Sequence, residues 1–218
     1  MKEVSSNKNI KLSEHLASPS EAALSHSNEL DGLRLSPHFT LGELTKTSYI
    51  TADGNIPSHV ANENLRRLCG WLEILRERYN QKYGQREATL LLGTGPNKRS
   101  SPMPGPVPSR RSDDIPVIIT SGFRSEEVNR MCGGAKGSNH LTGCAVDIRC
   151  YGPEQMIRYA CLLLDTADEN GWVFDELIQE KRGTTYWIHF AVRPEDRSAT
   201  KGDACQSKNR RKILFDCR

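Results

Sequence analysis

The chain has 218 residues, 36% apolar and 26% charged. That composition supports one compact domain of roughly 150 residues with solvated segments attached, and excludes a single dense core over the whole length. No stretch approaches the ~18 apolar residues of a membrane span, and a formal net charge of +3 is too mild to mark a nucleic-acid surface.

Residues 1–36 are polar and show no sustained period, which predicts a flexible N-terminal arm. The first twenty residues lack an apolar core of the secretory type, so the chain is expected to be made in the cytoplasm without a cleaved signal. Thr40-Leu41-Gly42-Glu43 reads as a capping box opening a short helix. Residues 58–80 form a strong amphipathic helix, with Val60, Leu65, Leu68, Leu72, Leu75 and Tyr79 at three- and four-residue steps. Residues 93–114 hold five prolines and four Lys or Arg side chains, which excludes helix and central strand and predicts an exposed insertion.

From Ile115 the pattern changes. Residues 116–120 are a β-branched run read as a buried strand, and Ser125 caps a short helix through Met131. Cys144–Ile148 reads as a second strand and 154–168 as a second amphipathic helix. Phe174–Glu180 and Thr184–Val192 read as strands of a hairpin turning at Lys181-Arg182-Gly183. Helices beside a terminal hairpin predict an α+β fold with a mainly antiparallel sheet. After Pro194 the sequence is polar and basic, so 195–218 is read as a tail.

Seven cysteines stand at 69, 132, 144, 150, 161, 205 and 217, with no C-x-x-C pair. Without a secretory signal, reduced thiols fit better than a disulfide scaffold. The chemistry concentrates in Ser138-Asn139-His140-Leu141-Thr142-Gly143-Cys144-Ala145-Val146-Asp147. A loop histidine followed by a strand aspartate brings an imidazole nitrogen and a carboxylate oxygen toward one point, a donor pair suited to Zn²⁺. Gly143 permits the tight turn between them. Of the six histidines, His189 alone lies in a strong strand, Tyr186-Trp187-Ile188-His189-Phe190, and is the natural third ligand. A structural knot of Cys132, His140, Cys144 and Cys150 is the rival metal reading, weakened by its spacing.

These residues carry a family resemblance. S-x-H-x-x-G-x-A-x-D followed by W-I-H resembles the zinc D-alanyl-D-alanine peptidases of the hedgehog/D,D-peptidase fold. The likeness is to the "A" branch of the peptidase M15 family, among relatives that include phage endolysins. Ile119-Thr120-Ser121-Gly122-Phe123-Arg124-Ser125, Asn129, Gly133-Gly134, Phe39–Leu44 and Phe174–Glu180 extend the likeness over about 39–192, apart from the insertion. The resemblance implies a domain over 37–194 and one zinc ion held by His140, Asp147 and His189. It implies a water, activated by the metal, that attacks an amide next to a D-amino acid in peptidoglycan stem or cross-link peptides.

Many relatives carry a catalytic acid three residues before the last histidine, where this chain has Tyr186. The resemblance instead points to Glu180 as the acid–base group. The hairpin itself leaves the choice open: a two-residue turn at Arg182-Gly183 puts Glu176, Glu180 and His189 on one face, whereas a three-residue turn puts Asp175 and Gln179 there. Arg124 is expected to grip a substrate carboxylate or polarise the scissile carbonyl. Ser138 and Asn129 are expected to bind substrate backbone or to organise the loop. The implied protein is a monomeric peptidase without nucleic-acid partners, released to the cell wall by phage-type lysis. A wall-binding module that kept the fold and lost catalysis is the alternative.

Overall fold

Thr40 opens the first helix, α1 (Leu41–Thr45). Its hydroxyl accepts the Glu43 N–H, and the Glu43 carboxylate accepts the Thr40 N–H, closing the capping box read from the sequence. Ser58 caps α2 (His59–Tyr79) by accepting the Ala61 N–H. The stripe Leu65, Leu68, Leu72, Leu75 and Tyr79 is fully buried. Val60, grouped with that stripe in the sequence, is 64% exposed; Ala61, one helical step round, takes its place.

The computed structural model describes residues 32–84, 114–193 and 212–217. The arm up to residue 31, nearly all of the proline-rich insertion, and residues 194–211 lie outside the described residues. Residues 32–36 belong to the arm by sequence pattern, yet Leu35 packs on the core and the Ser36 hydroxyl donates to Glu73 at 2.6 Å. The packed part of the chain therefore begins before residue 37.

The first strand, β1 (Ile119–Ser121), is shorter than the predicted 116–120 run. Pro116 has no N–H for a ladder, and Ile115 bonds through both backbone groups to the Asn80 side chain, just beyond the end of α2. Next come α3 (Glu126–Met131), capped by Ser125, then β2 (Ala145–Cys150) and α4 (Pro153–Asn170), which ends on left-handed Gly171. The hairpin strands are β3 (Phe174–Arg182) and β4 (Thr185–Val192). A fifth strand, β5 (Lys212–Cys217), forms inside the stretch expected to be a tail.

The strand order is β1-β2-β4-β3-β5; the first four pair antiparallel, and β5 runs parallel to β3. This is the α+β, mainly antiparallel architecture expected. Val146 and Ile148 of β2, Leu177 of β3, and Ile188 and Phe190 of β4 join α2 and α4 in one core. Trp71 of α2 meets Trp172, Phe174 and Phe190 at ring-centroid distances of 5.1 to 6.4 Å. Side chains alternate across a sheet, so residues 145, 147 and 149 of β2, and 187, 189 and 191 of β4, project from the other face. No described helix is long and apolar enough to cross a membrane.

Candidate metal centre

Asp147 and His189 are directly opposite one another in the β2–β4 ladder. Opposed residues of antiparallel strands hold their Cβ atoms about 5 Å apart on one face, so the register alone brings the carboxylate to the imidazole. His189 Nδ1 lies 3.0 Å from Asp147 Oδ1. His140 reaches the same oxygen from a 3-10 turn, Asn139–Thr142, with its Nε2 at 3.4 Å. The two rings stand 5.0 Å apart, edge to face.

Local backbone chemistry sets His140. The Ser138 hydroxyl caps the turn by accepting the His140 N–H. Gly143 ends it at φ +71°, a conformation costly for any side-chain-bearing residue, and a Cβ there would sit 2.4 Å from the Ala61 carbonyl oxygen. The ring is buried, and its Nδ1 lies 2.6 Å from the Gly122 carbonyl oxygen. A carbonyl only accepts, so Nδ1 is the donor there and Nε2 is the nitrogen turned toward Asp147. Gly122 itself passes so close to α1 that a Cβ would meet the Leu44 carbonyl oxygen at 2.2 Å.

One ligand atom from each of His140, Asp147 and His189 lies within 4.8 Å of the others, and these three could hold a metal ion. Two imidazole nitrogens and one carboxylate oxygen are the donor set that zinc takes in open sites. Electrostatics fits a cation there. Burial pushes the Asp147 carboxyl up, but the hydrogen bonds and charges of His140 and His189 outweigh it and hold the group well below the usual carboxylate range. Burial pulls His189 down, but the bonds and charges of Asp147 and Glu176 outweigh that and raise it to about 9.

The rival cysteine knot is not formed. Cys132 is exposed while Cys144 and Cys150 are buried, and burial pushes the Cys150 thiol up to about 12, so it remains a protonated small hydrophobe. Cys69, Cys132, Cys144, Cys150 and Cys161 are free thiols.

Arg124 divides its guanidinium between two anchors: Nη2 donates to Asp147 Oδ2 at 2.6 Å and Nε to Ser121 Oγ at 2.8 Å. Asp147 thus turns one oxygen to the histidines and the other to Arg124. Beside Arg124 opens a cleft of about 370 Å³, lined among others by Lys46, Tyr49, Ser121, Phe123 and Cys132. Asn129, expected at the substrate, is only 4% exposed, and its amide donates to the Ala135 carbonyl at 2.9 Å. That bond ties α3 to the loop ahead of His140.

The hairpin turns at Gly183-Thr184, one residue later than either turn weighed from the sequence, because Arg182 pairs with Thr185. Ile178 is then opposite His189, and Glu180 is opposite Trp187, on the His189 face. The carboxylate that touches the histidine is Glu176, with Oε2 3.4 Å from His189 Nε2. The ladder slips between Phe174 and Glu176, and an extra residue in a strand re-aims side chains. Both Asp175 and Glu176 accordingly meet the Asn139 amide, at 3.3 and 3.2 Å. Sequence reasoning misses Asn139, although it stands beside His140 within the motif.

Residues 109–173 match the family described as Peptidase M15. The match covers less than a third of the chain. Members of that family are zinc D-Ala-D-Ala carboxypeptidase-like peptidases, and an M15 assignment implies a zinc metallopeptidase. The matched segment carries Arg124, His140 and Asp147, while His189, Glu176 and Glu180 lie beyond it. Geometry, independently of the match, brings His189 to His140 and Asp147. No curated protein matches the chain.

Proposed function

We propose that this chain is a zinc metallopeptidase hydrolysing amide bonds next to D-amino acids in peptidoglycan stem or cross-link peptides. One ion would be held by His140 Nε2, Asp147 Oδ1 and His189 Nδ1. The observation that carries this reading is the meeting of those atoms, from three separate elements, beside the Arg124 cleft. Three protein ligands leave a position for substrate, whereas structural zinc sites are closed by four. When bound, zinc supplies Lewis acidity that polarises the scissile carbonyl and acidifies the attacking water.

The chain's own residues do the remaining work. Arg124 uses two of its five N–H donors on Asp147 and Ser121, and the others suit a substrate carboxylate or the charge developing on the carbonyl oxygen. Glu180 accepts the proton of the attacking water at its carboxylate and delivers it to the leaving amine. Its place on the His189 face, two residues along β3 from Ile178, supports that role. Ser138 keeps the His140 turn in shape. An endolysin-like use, with delivery to the wall at lysis, belongs to the same proposal.

The test is digestion of purified muropeptides by zinc-loaded protein, read by mass spectrometry. Loss of one terminal alanine identifies a carboxypeptidase and a split cross-link an endopeptidase. Intact muropeptides that nevertheless bind would overturn the enzyme reading in favour of a wall-binding module. His189→Ala is expected to lose zinc and hydrolysis while keeping the fold; wild-type turnover in that variant refutes the ligand set.

A further inference from the structure

Glu176 is the β3 carboxylate in direct contact with His189, and its position invites assignment as the proton carrier. The geometry argues otherwise. The two nitrogens of an imidazole point out of opposite edges of the ring. His189 presents Nδ1 to Asp147 Oδ1 at 3.0 Å and Nε2 to Glu176 Oε2 at 3.4 Å. Glu176 is thus behind the ring, on the edge turned away from the point where His140, Asp147 and His189 converge. The Asn139 amide holds the same Glu176 oxygen at 3.2 Å, and Asn139 is the residue next to His140.

We infer that Glu176 is a positioning residue: it accepts the Nε2–H of His189, fixing the tautomer and ring orientation that leave Nδ1 as the metal-facing lone pair. Asn139 keeps that carboxylate in place, so the turn carrying one histidine also steadies the orienter of the other. His140 has the matching arrangement with the Gly122 carbonyl. Each ring is held from its outer edge by an acceptor, one a backbone carbonyl and one a carboxylate. Such outer partners are generally worth 10- to 100-fold in metal affinity. This inference rests on the zinc reading of the site.

The experiment measures the zinc dissociation constant by competition with a chromophoric chelator across a pH series, and compares the variants on the alkaline plateau, where no proton competes for His189. It compares wild type, Glu176→Gln, Glu176→Ala and His189→Ala, with the metal-free melting temperature of each. Glu176→Ala is expected to weaken zinc by about 10- to 100-fold. Glu176→Gln, which keeps a carbonyl oxygen to accept the Nε2–H, should fall between Ala and wild type. Glu176 is partly exposed but helps raise His189, so both variants should fold and melt below the wild type without metal; if the alanine variant does not fold, the near-isosteric glutamine variant decides. Wild-type zinc affinity in both variants overturns the inference, and if turnover is lost at the same time Glu176 is the proton carrier. Failure of the underlying reading looks different: wild type itself binds no zinc, or His189→Ala binds as tightly as wild type.

Discussion

If zinc is held as proposed, it competes with a proton for His189, and the competition can be measured. Without metal, Asp147 and Glu176 hold the ring at about 9, so at pH 7 about 99% of molecules carry a proton on both nitrogens. Coordination through Nδ1 requires that lone pair, so binding must expel the proton. Below pH 9 the apparent affinity should rise about tenfold per pH unit, and at pH 7 it should stand about 100-fold under its alkaline plateau. Asp147 adds no slope in this window, because its carboxyl ionises far below it. The assay is zinc competition at pH 6, 7 and 8, corrected for the chelator's own protonation. Calorimetry in buffers of different ionisation enthalpy counts the protons: about one released at pH 7, falling toward one half at pH 9. An affinity flat from pH 6 to 8 with no proton released at pH 7 would refute a competition between the metal and a proton for the His189 ring.

The same contact makes metal-free stability pH-dependent with a definite sign. A ring raised to about 9 in the fold, against about 6.5 unfolded, contributes roughly 3 kcal/mol. That contribution is full below pH 6.5 and lost as pH rises through 9, so urea midpoints of apo protein should fall over that interval; the Asp147 side of the pair is the same interaction and counts once. Glu180→Gln should retain zinc and lower turnover by ~10²-fold or more, and unchanged turnover in a muropeptide assay would remove Glu180 from the mechanism. Gly143→Ala forces a side chain into φ +71° and against the Ala61 carbonyl oxygen. It should cost at least about 2 kcal/mol and weaken zinc by displacing His140, read by chemical denaturation and chelator competition on one sample.

What the sequence made legible follows from which interactions are local. The capping box at Thr40 and the stripe from Leu65 to Tyr79 are repeats within a few residues, and they stand where the pattern put them, Val60 excepted. The strand of Lys212–Cys217 escaped because Ile213, Leu214 and Phe215 are a short apolar run in a polar stretch, and only pairing with β3 gives it an address. The donor set was legible for a different reason: His140, Gly143 and Asp147 are close in sequence, and a histidine inside a strand is rare enough to be noticed.

The carboxylates were not legible, because their placement depends on two one-residue decisions in one hairpin. Turning at Gly183-Thr184 sets Ile178, not Glu176, opposite His189, and the slip after Phe174 swings Asp175 and Glu176 toward Asn139. The turn position leaves the core face unchanged, since Leu177 still meets Phe190, whereas the slip is what lets Phe174 join Leu177 in the core despite their opposite parity. Core burial specifies parity strongly because a one-residue shift would turn every apolar side chain outward. Shifts that preserve parity leave the core indifferent. The turn was therefore free to settle which β3 residue stands opposite His189, and it set Ile178 there with Glu176 and Glu180 on either side.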